Sequence, residues 1–199
     1  MHDFILVFIP MFIAADAVGN IPLFAGLTEG LTDQERKRVA NMSVLMATII
    51  VLLFILGGKL VFGIMGISVP DFRIAGGILL LVLSTHMLIA GKTTSMPMED
   101  VAIFPLASPL IAGPALLTIT LVLANRSLPM TLVSLVLNMA ITWVIFRNCR
   151  RVEFLITRHG SKAFSKVVEI LLAAIAVMMI REGLEEAVRH FIDGLKQTG

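Results

Sequence analysis

The feature that most constrains this chain is a series of six long apolar blocks separated by short polar segments. Most blocks approach the roughly 20 residues that an α-helix needs to cross the hydrocarbon core of a bilayer. Charged residues make up 15% of the chain, against about 25% in a typical soluble domain. We therefore predict an all-α polytopic membrane protein with six transmembrane helices. The predicted helices cover residues about 4–27, 42–66, 72–90, 101–124, 130–147 and 166–182.

The positive charges predict how the chain is oriented. The dense clusters of Lys and Arg, at residues 36–38 and 147–166, follow the first and the fifth predicted helix. Because loops that face the cytoplasm carry an excess of these residues, we expect both termini to lie outside. The same bias accounts for the net charge of +2 without a nucleic-acid partner. The N-terminus lacks a basic region before its apolar block, so the first segment is predicted to be a retained helix and not a signal peptide.

The two halves of the chain resemble each other when the sequence is shifted by 92 residues. Phe12 then aligns with Phe104, and Pro22 aligns with Pro114. Each copy contains an odd number of helices, so the second copy must enter the membrane from the opposite side. This pattern predicts two inverted three-helix repeats, residues 1–91 and 92–183, followed by an amphipathic tail at residues 184–199. Inverted repeats are a common plan of secondary transporters, which bind their substrate where the copies meet.

The first predicted helix of each repeat contains residues that interrupt a helix. The interruptions read DAVGNIP at residues 16–22 and SPLIAGP at residues 108–114. Proline removes a backbone donor, and glycine allows dihedral angles that side chains forbid. The freed N–H groups attract a carboxylate, and freed carbonyls can hold an ammonium group, so two such breaks suit a zwitterion. The candidate substrate-binding residues are Asp16, Gly19, Asn20, Pro22, Ser108, Ala112, Gly113 and Pro114.

Two of these candidates have alternative interpretations that the sequence leaves open. Asp16 lies about 18 Å along its helix, where a carboxylate is costly and should face the bundle interior. In one interpretation Asp16 is functional, as a proton carrier or as the partner of an ammonium group. In the other it is a cap for the freed amides around Gly19 and Asn20. Asn20 either caps the broken turn or contacts the substrate.

Asn138 lies in the middle of the fifth segment. It is interpreted as an interhelical hydrogen-bonding residue rather than a ligand.

The motifs DAVGNIPLF, FGISVPDFRIAGGILLLVL, FPLASPLIAGPALLTI and LLAAIAVMMIREGL resemble the MarC/SnatA family of small integral membrane proteins. The resemblance covers nearly the whole chain. It implies six helices in a prokaryotic cytoplasmic membrane and transport of small neutral amino acids such as glycine and alanine. The chain departs from the family pattern at two positions. Ala17 replaces the proline of the usual first motif, and Ala115 replaces the last glycine of the second.

The leading hypothesis is a secondary transporter of small neutral amino acids, working by alternating access around the paired breaks, with H⁺ or Na⁺ as candidate coupling ion. The alternatives are a passive channel for small polar solutes and a membrane protein of this family that exports another small metabolite. We expect no enzyme, because the chain has no H-E-x-x-H, G-x-S-x-G or Walker A motif. No cofactor and no metal are predicted. The lone Cys149 excludes an intramolecular disulfide.

Overall fold

The structure is a computed structural model that describes residues 2–90, 98–149 and 161–198. Within these ranges the protein is helical and contains no strand. The predicted boundary between the repeats, at residues 91 and 92, lies outside the described residues. The helices are α1 His2–Ala15, α2 Ile21–Leu27, α3 Asp33–Met65, α4 Val69–Ala90, α5 Met98–Val101, the π-helical segment Ala102–Ile111, α6 Pro114–Arg126, α7 Leu128–Arg147 and α8 Ser161–Thr198.

Among the described residues, three helical stretches are long and apolar enough to cross a membrane: Asp33–Gly58, Val69–Ile89 and Leu128–Arg147. A fourth candidate is the bent pair formed by Met98–Ile111 and Pro114–Arg126, whose halves meet at an angle of 57°. α1 contains a shorter apolar stretch. The predicted all-helical membrane architecture is therefore confirmed, whereas six crossings related as inverted repeats stay a prediction.

Large apolar side chains on the outside of the helices identify the surface that faces lipid. Leu53 and Leu56 on α3 are exposed, as are Val82 and Ile89 on α4 and Val136 on α7. Similar exposed residues lie on α1 and along α8. Soluble monomers rarely expose apolar surface on this scale, so the pattern agrees with helices embedded in a bilayer.

Local hydrogen bonds explain where α3 and α4 begin. At α3 the Glu35 carboxylate accepts hydrogen bonds from the Thr32 N–H at 2.8 Å and hydroxyl at 2.7 Å, and the Glu35 N–H donates to the Thr32 hydroxyl. Ser68 and Asp71 repeat this capping box at α4. The box at Thr32 starts α3 at Asp33, well before the predicted position 42, because polar residues can form helix once their first turn is capped.

α4 and α8 form the most extensive helix pair in the described part of the chain. They run antiparallel: the Lys166 ammonium donates to the Leu88 carbonyl at one end, and Arg73 pairs with Glu182 and Glu186 at the other. Residues 184–198, predicted as a tail, are helical and continue α8. The ion pairs of Arg73 anchor this extension to the start of α4.

The remaining helices pack across the two halves of the sequence. α1 lies against α7 and α6, while the π-helical segment lies against α3. α3 also packs on α7. Each interrupted helix is therefore supported by a long uninterrupted helix from the other half.

Candidate functional site

The first break lies between α1 and α2, at residues 16–20. Asp16 has φ +42°, a left-handed conformation that an L-residue with a Cβ rarely adopts. Its side chain is exposed, and Oδ1 accepts a hydrogen bond from the Gly19 N–H at 3.1 Å. Of the two interpretations of Asp16, this geometry is that of the cap. A Cβ on Gly19 would lie 2.3 Å from Asp16 Oδ2, so glycine leaves room for the capping carboxylate.

Asn20 closes the same turn from inside the protein. It is 5% exposed, and its side-chain Nδ2 donates to the Ala15 carbonyl at 3.3 Å. Its backbone N–H donates to the Asp16 carbonyl at 3.0 Å, and its own carbonyl accepts from Phe24 at 2.9 Å. Pro22 follows in the first turn of α2, where no backbone donor is needed. Asn20 therefore satisfies the carbonyl that the end of α1 leaves without an intrahelical partner.

The second break lies between the π-helical segment and α6. Phe104 and Ser108 have extended backbone angles inside that segment. The Ala112 N–H donates to the Ala107 carbonyl at 2.8 Å, and Gly113 is extended before Pro114 opens α6. A Cβ on Gly113 would lie 2.7 Å from the Pro109 carbonyl oxygen. The close approach of the Pro109 carbonyl to Gly113, four residues later, therefore requires glycine here.

The two breaks share one hydrogen-bonding arrangement. The carbonyls of Ala15 and Ala107, which are 92 positions apart, each accept a hydrogen bond from the residue five positions later. That donor is the side-chain amide of Asn20 in the first break and the backbone N–H of Ala112 in the second. The sequence placed the breaks in register but did not predict the role of these two carbonyls, because backbone groups carry no sequence signal.

The surroundings of the two breaks differ. Near the first, the Cys149 thiol contacts the Ile21 carbonyl at 3.8 Å, and Phe24 stacks on Phe146 with ring centroids 4.5 Å apart. Near the second, Pro109 lies close to Gly76 of α4. Within the described ranges, no hydrogen bond joins residues 16–22 to residues 108–114. The meeting of both breaks around one ligand stays a prediction.

A row of buried polar residues along α7 is a second polar feature of the interior. Thr131, Ser134, Asn138 and Thr142 are each 0–1% exposed and recur at intervals of three or four residues, so they share one face of the helix. Asn138 Nδ2 donates to the Ser134 carbonyl at 2.9 Å and approaches the Phe8 carbonyl of α1 at 3.5 Å. Of these residues, Asn138 alone was identified from the sequence; the three-four spacing of hydroxyl residues was the signal for the others.

Glu169 and Arg73, two other charged residues of the helix bundle, form ion pairs. Glu169 is buried and pairs with Lys166 at 2.8 Å, and the Arg73 guanidinium lies 3.2 Å from Glu186. In the described part of the chain, no group of three or more His, Cys, Asp and Glu residues could hold a metal ion.

Comparison with known sequences gives one family and a set of relatives. The family described as MarC family integral membrane protein matches residues 1–188. A UPF0056 membrane protein of Methanocaldococcus jannaschii is 32% identical over 202 residues, covering 92% of this chain and 87% of the relative. UPF0056 membrane protein YvbG of Bacillus subtilis is 28% identical over 202 residues, covering 93% of this chain and 96% of the relative. No solved structure matches the chain.

Proposed function

The chain belongs to the MarC family of integral membrane proteins, and on that premise we propose that it is a secondary transporter of small neutral amino acids such as glycine and alanine. The observation that carries the proposal is the pair of interrupted helices, whose Ala15 and Ala107 carbonyls accept equivalent hydrogen bonds. Non-helical backbone at membrane depth is tolerated where it is buried in protein or lines a wet cavity. Transporters use such backbone to bind substrates and ions.

Helix packing supports an inverted repeat. A shift of 92 residues relates α1 to α5 and the π-helical segment, α2 to α6, α3 to α7 and α4 to α8. Under this shift, the contact of α1 with α7 corresponds to the contact of the π-helical segment with α3. The contact of α2 with α8 likewise corresponds to the contact of α6 with α4. The pairs α3–α7 and α4–α8 map onto themselves, as expected near a pseudo-two-fold axis. This arrangement suits alternating access, in which one repeat moves against the other.

In this mechanism the breaks hold the two ends of a zwitterion. The start of α6, at Gly113 and Pro114, offers the positive end of a helix dipole to the carboxylate. The end of α1, with Asn20 and the carbonyls of Ala15 and Asp16, offers oxygen acceptors to the ammonium group. Bending of the chain at either break then opens the site to one side of the membrane and closes it to the other.

The transport assay is uptake of radiolabelled glycine and alanine into proteoliposomes. We expect saturable flux, which Gly19→Leu and Gly113→Leu abolish because the added side chains fill the breaks. Gly57→Leu is the matched control, since a Cβ at Gly57 of α3 meets no atom within 4 Å. Linear, non-saturating flux would instead indicate the channel. Flux that both break variants leave intact, with folding preserved, would refute the site.

We assign the coupling proton to Asp16, and Asp16→Asn separates this role from capping. Asparagine keeps an oxygen that can accept from the Gly19 N–H, and it tolerates the left-handed conformation. It cannot carry a proton. We expect the variant to lose accumulation driven by a pH gradient while retaining exchange of substrate across the membrane. Gradient-driven accumulation at the wild-type level would restrict Asp16 to the cap and leave Na⁺ as the candidate ion.

We also propose that the protein lies in the prokaryotic cytoplasmic membrane with both termini outside. Alkaline phosphatase is active only after export, so a fusion after Gly199 should be active and a fusion directly after Arg147 inactive. The reverse pattern would invert the proposed orientation.

A further inference from the structure

The polar row of α7 contains two side-chain oxygen atoms that form no hydrogen bond within the described part of the chain. The hydroxyls of Thr131 and Thr142 donate to carbonyls of their own helix, Ser127 and Asn138, both at 2.9 Å. In contrast, Ser134 Oγ and Asn138 Oδ1 are buried without a hydrogen-bond partner among the described residues. Buried polar atoms without partners are uncommon and cost free energy, so these two require an explanation.

Their position points to a ligand rather than to helix packing. Asn138 is the eleventh and Ser134 the seventh of the 20 residues of α7, so both lie near the middle of a predicted membrane span. Through Phe8, Asn138 is connected to α1, about 10 Å along that helix from the break that follows Ala15. Substrate sites of secondary transporters lie at this depth.

The chemistry of the two atoms defines what they can bind. Asn138 Oδ1 carries no hydrogen and can only accept hydrogen bonds. The Nδ2 group of the same amide already donates to the Ser134 carbonyl. The Ser134 hydroxyl accepts as well. Neither group is charged, which suits the ammonium end of a neutral zwitterion that must later be released.

We propose that Ser134 Oγ and Asn138 Oδ1 form a binding point for the ammonium group of the carried solute in the middle of the membrane. This inference rests on the proposed transport function and extends it to a helix outside the two breaks. The polar face of α7 is then a second position of the ammonium group during transport, distinct from the acceptors at the end of α1. Thr131 and Thr142, whose hydroxyls are used within the helix, do not take part in binding.

The first test is Ser134→Ala, with Thr142→Val as matched control. Both substitutions remove one fully buried hydroxyl from the same face of α7. We expect the KM for glycine or alanine to rise about tenfold in Ser134→Ala, because one hydrogen bond to a charged group is lost. The KM should stay unchanged in Thr142→Val. The thermal midpoint of Ser134→Ala should equal or exceed that of the wild type, because no bonded partner is lost. An unchanged KM in Ser134→Ala would overturn the inference.

A second test does not depend on which solute is carried. Ser134→Cys, placed in a Cys149→Ser background, is treated with 2-aminoethyl methanethiosulfonate, a small reagent that carries an ammonium group. Val136→Cys is the control, since Val136 is 59% exposed on the outer surface of the same helix. Thiols in lipid do not ionise and react slowly. We expect the thiol at position 134 to react, saturating glycine to slow its reaction, and the thiol at 136 to stay inert.

The two tests separate failure of the inference from failure of the proposed function. Wild-type protein that carries neither glycine nor alanine would refute the proposed function. If the thiol at position 134 then reacted, the result would still support a solute-accessible ammonium site on α7. If that thiol stayed unreactive, the result would overturn the inferred site. Normal amino acid flux combined with an inert thiol at position 134 would overturn the inference alone.

Discussion

Asp16 offers a quantitative test of how the first break is stabilised. Its carboxylate accepts from the Gly19 N–H, and its backbone has φ +42°. Asp16→Ala removes the acceptor, which costs about 1 kcal/mol for a lost cap. It also leaves a residue with a Cβ and no compensating side-chain hydrogen bond in a left-handed conformation, which costs about 1 kcal/mol more. We expect a total near 2 kcal/mol.

Two further variants separate these contributions. Asp16→Gly loses the cap but tolerates the positive φ, so the free energy of unfolding should fall by at most about 1 kcal/mol. Asp16→Asn keeps both features and should resemble the wild type. For a chain of 199 residues, about 1 kcal/mol corresponds to about 2–4 °C. The thermal midpoint of Asp16→Ala should therefore fall by about 4–8 °C.

The measurement can use Cys149, whose buried thiol becomes available to a fluorogenic maleimide as the protein unfolds. All four proteins are compared in the same detergent and at the same heating rate, because unfolding of membrane proteins is often irreversible. The expected order of midpoints is wild type and Asn, then Gly, then Ala. A midpoint for Asp16→Asn as low as that of Asp16→Ala, or no difference between Gly and Ala, would refute the reasoning.

Three other substitutions test the packing. Gly113→Ala should lower the free energy of unfolding by about 2–3 kcal/mol in chemical denaturation, because the new Cβ meets the Pro109 carbonyl oxygen at 2.7 Å. Gly77→Ala should lower the free energy of unfolding by about 1–3 kcal/mol, since its Cβ would lie 2.8 Å from a backbone oxygen of α8. Gly57→Ala should raise the free energy of unfolding by about 0.5–1 kcal/mol, because a Cβ at this position in α3 meets no atom within 4 Å. Arg73→Gln should cost about 1 kcal/mol at low salt and less at high salt, as its carboxylate partners are partly exposed.

Each of these has a contradicting outcome. If Gly113→Ala were as stable as the wild type, the close approach of the Pro109 carbonyl to residue 113 would be wrong. Equal effects of alanine at positions 77 and 57 would contradict the tight contact of α4 with α8. A salt-independent loss in Arg73→Gln would show that its aliphatic stem, and not its charge, stabilises the end of α8.

The sequence by itself determined the class of the protein and the places where its helices break. Both depend on local properties: apolar blocks of membrane-spanning length, and Gly and Pro residues that prevent a continuous helix wherever they fold. The breaks before Pro22 and Pro114 were therefore predictable. The start of α3 and the end of α8 were not predictable. The Thr32 capping box extends α3, and the ion pairs of Arg73 extend α8, through polar residues.

Only the tertiary structure decided which hydrogen bonds individual groups make. Asp16 could equally have been a cap or a partner of a distant charge, and its hydrogen bond to Gly19 depends on a backbone conformation that the sequence does not specify. Ser134 and Thr142 are similar hydroxyl residues on one face of α7, but only Thr142 donates to a carbonyl of that helix. Such differences arise because hydrogen-bond partners are set by the local geometry and by which helices pack together, and both follow from the folded arrangement as a whole.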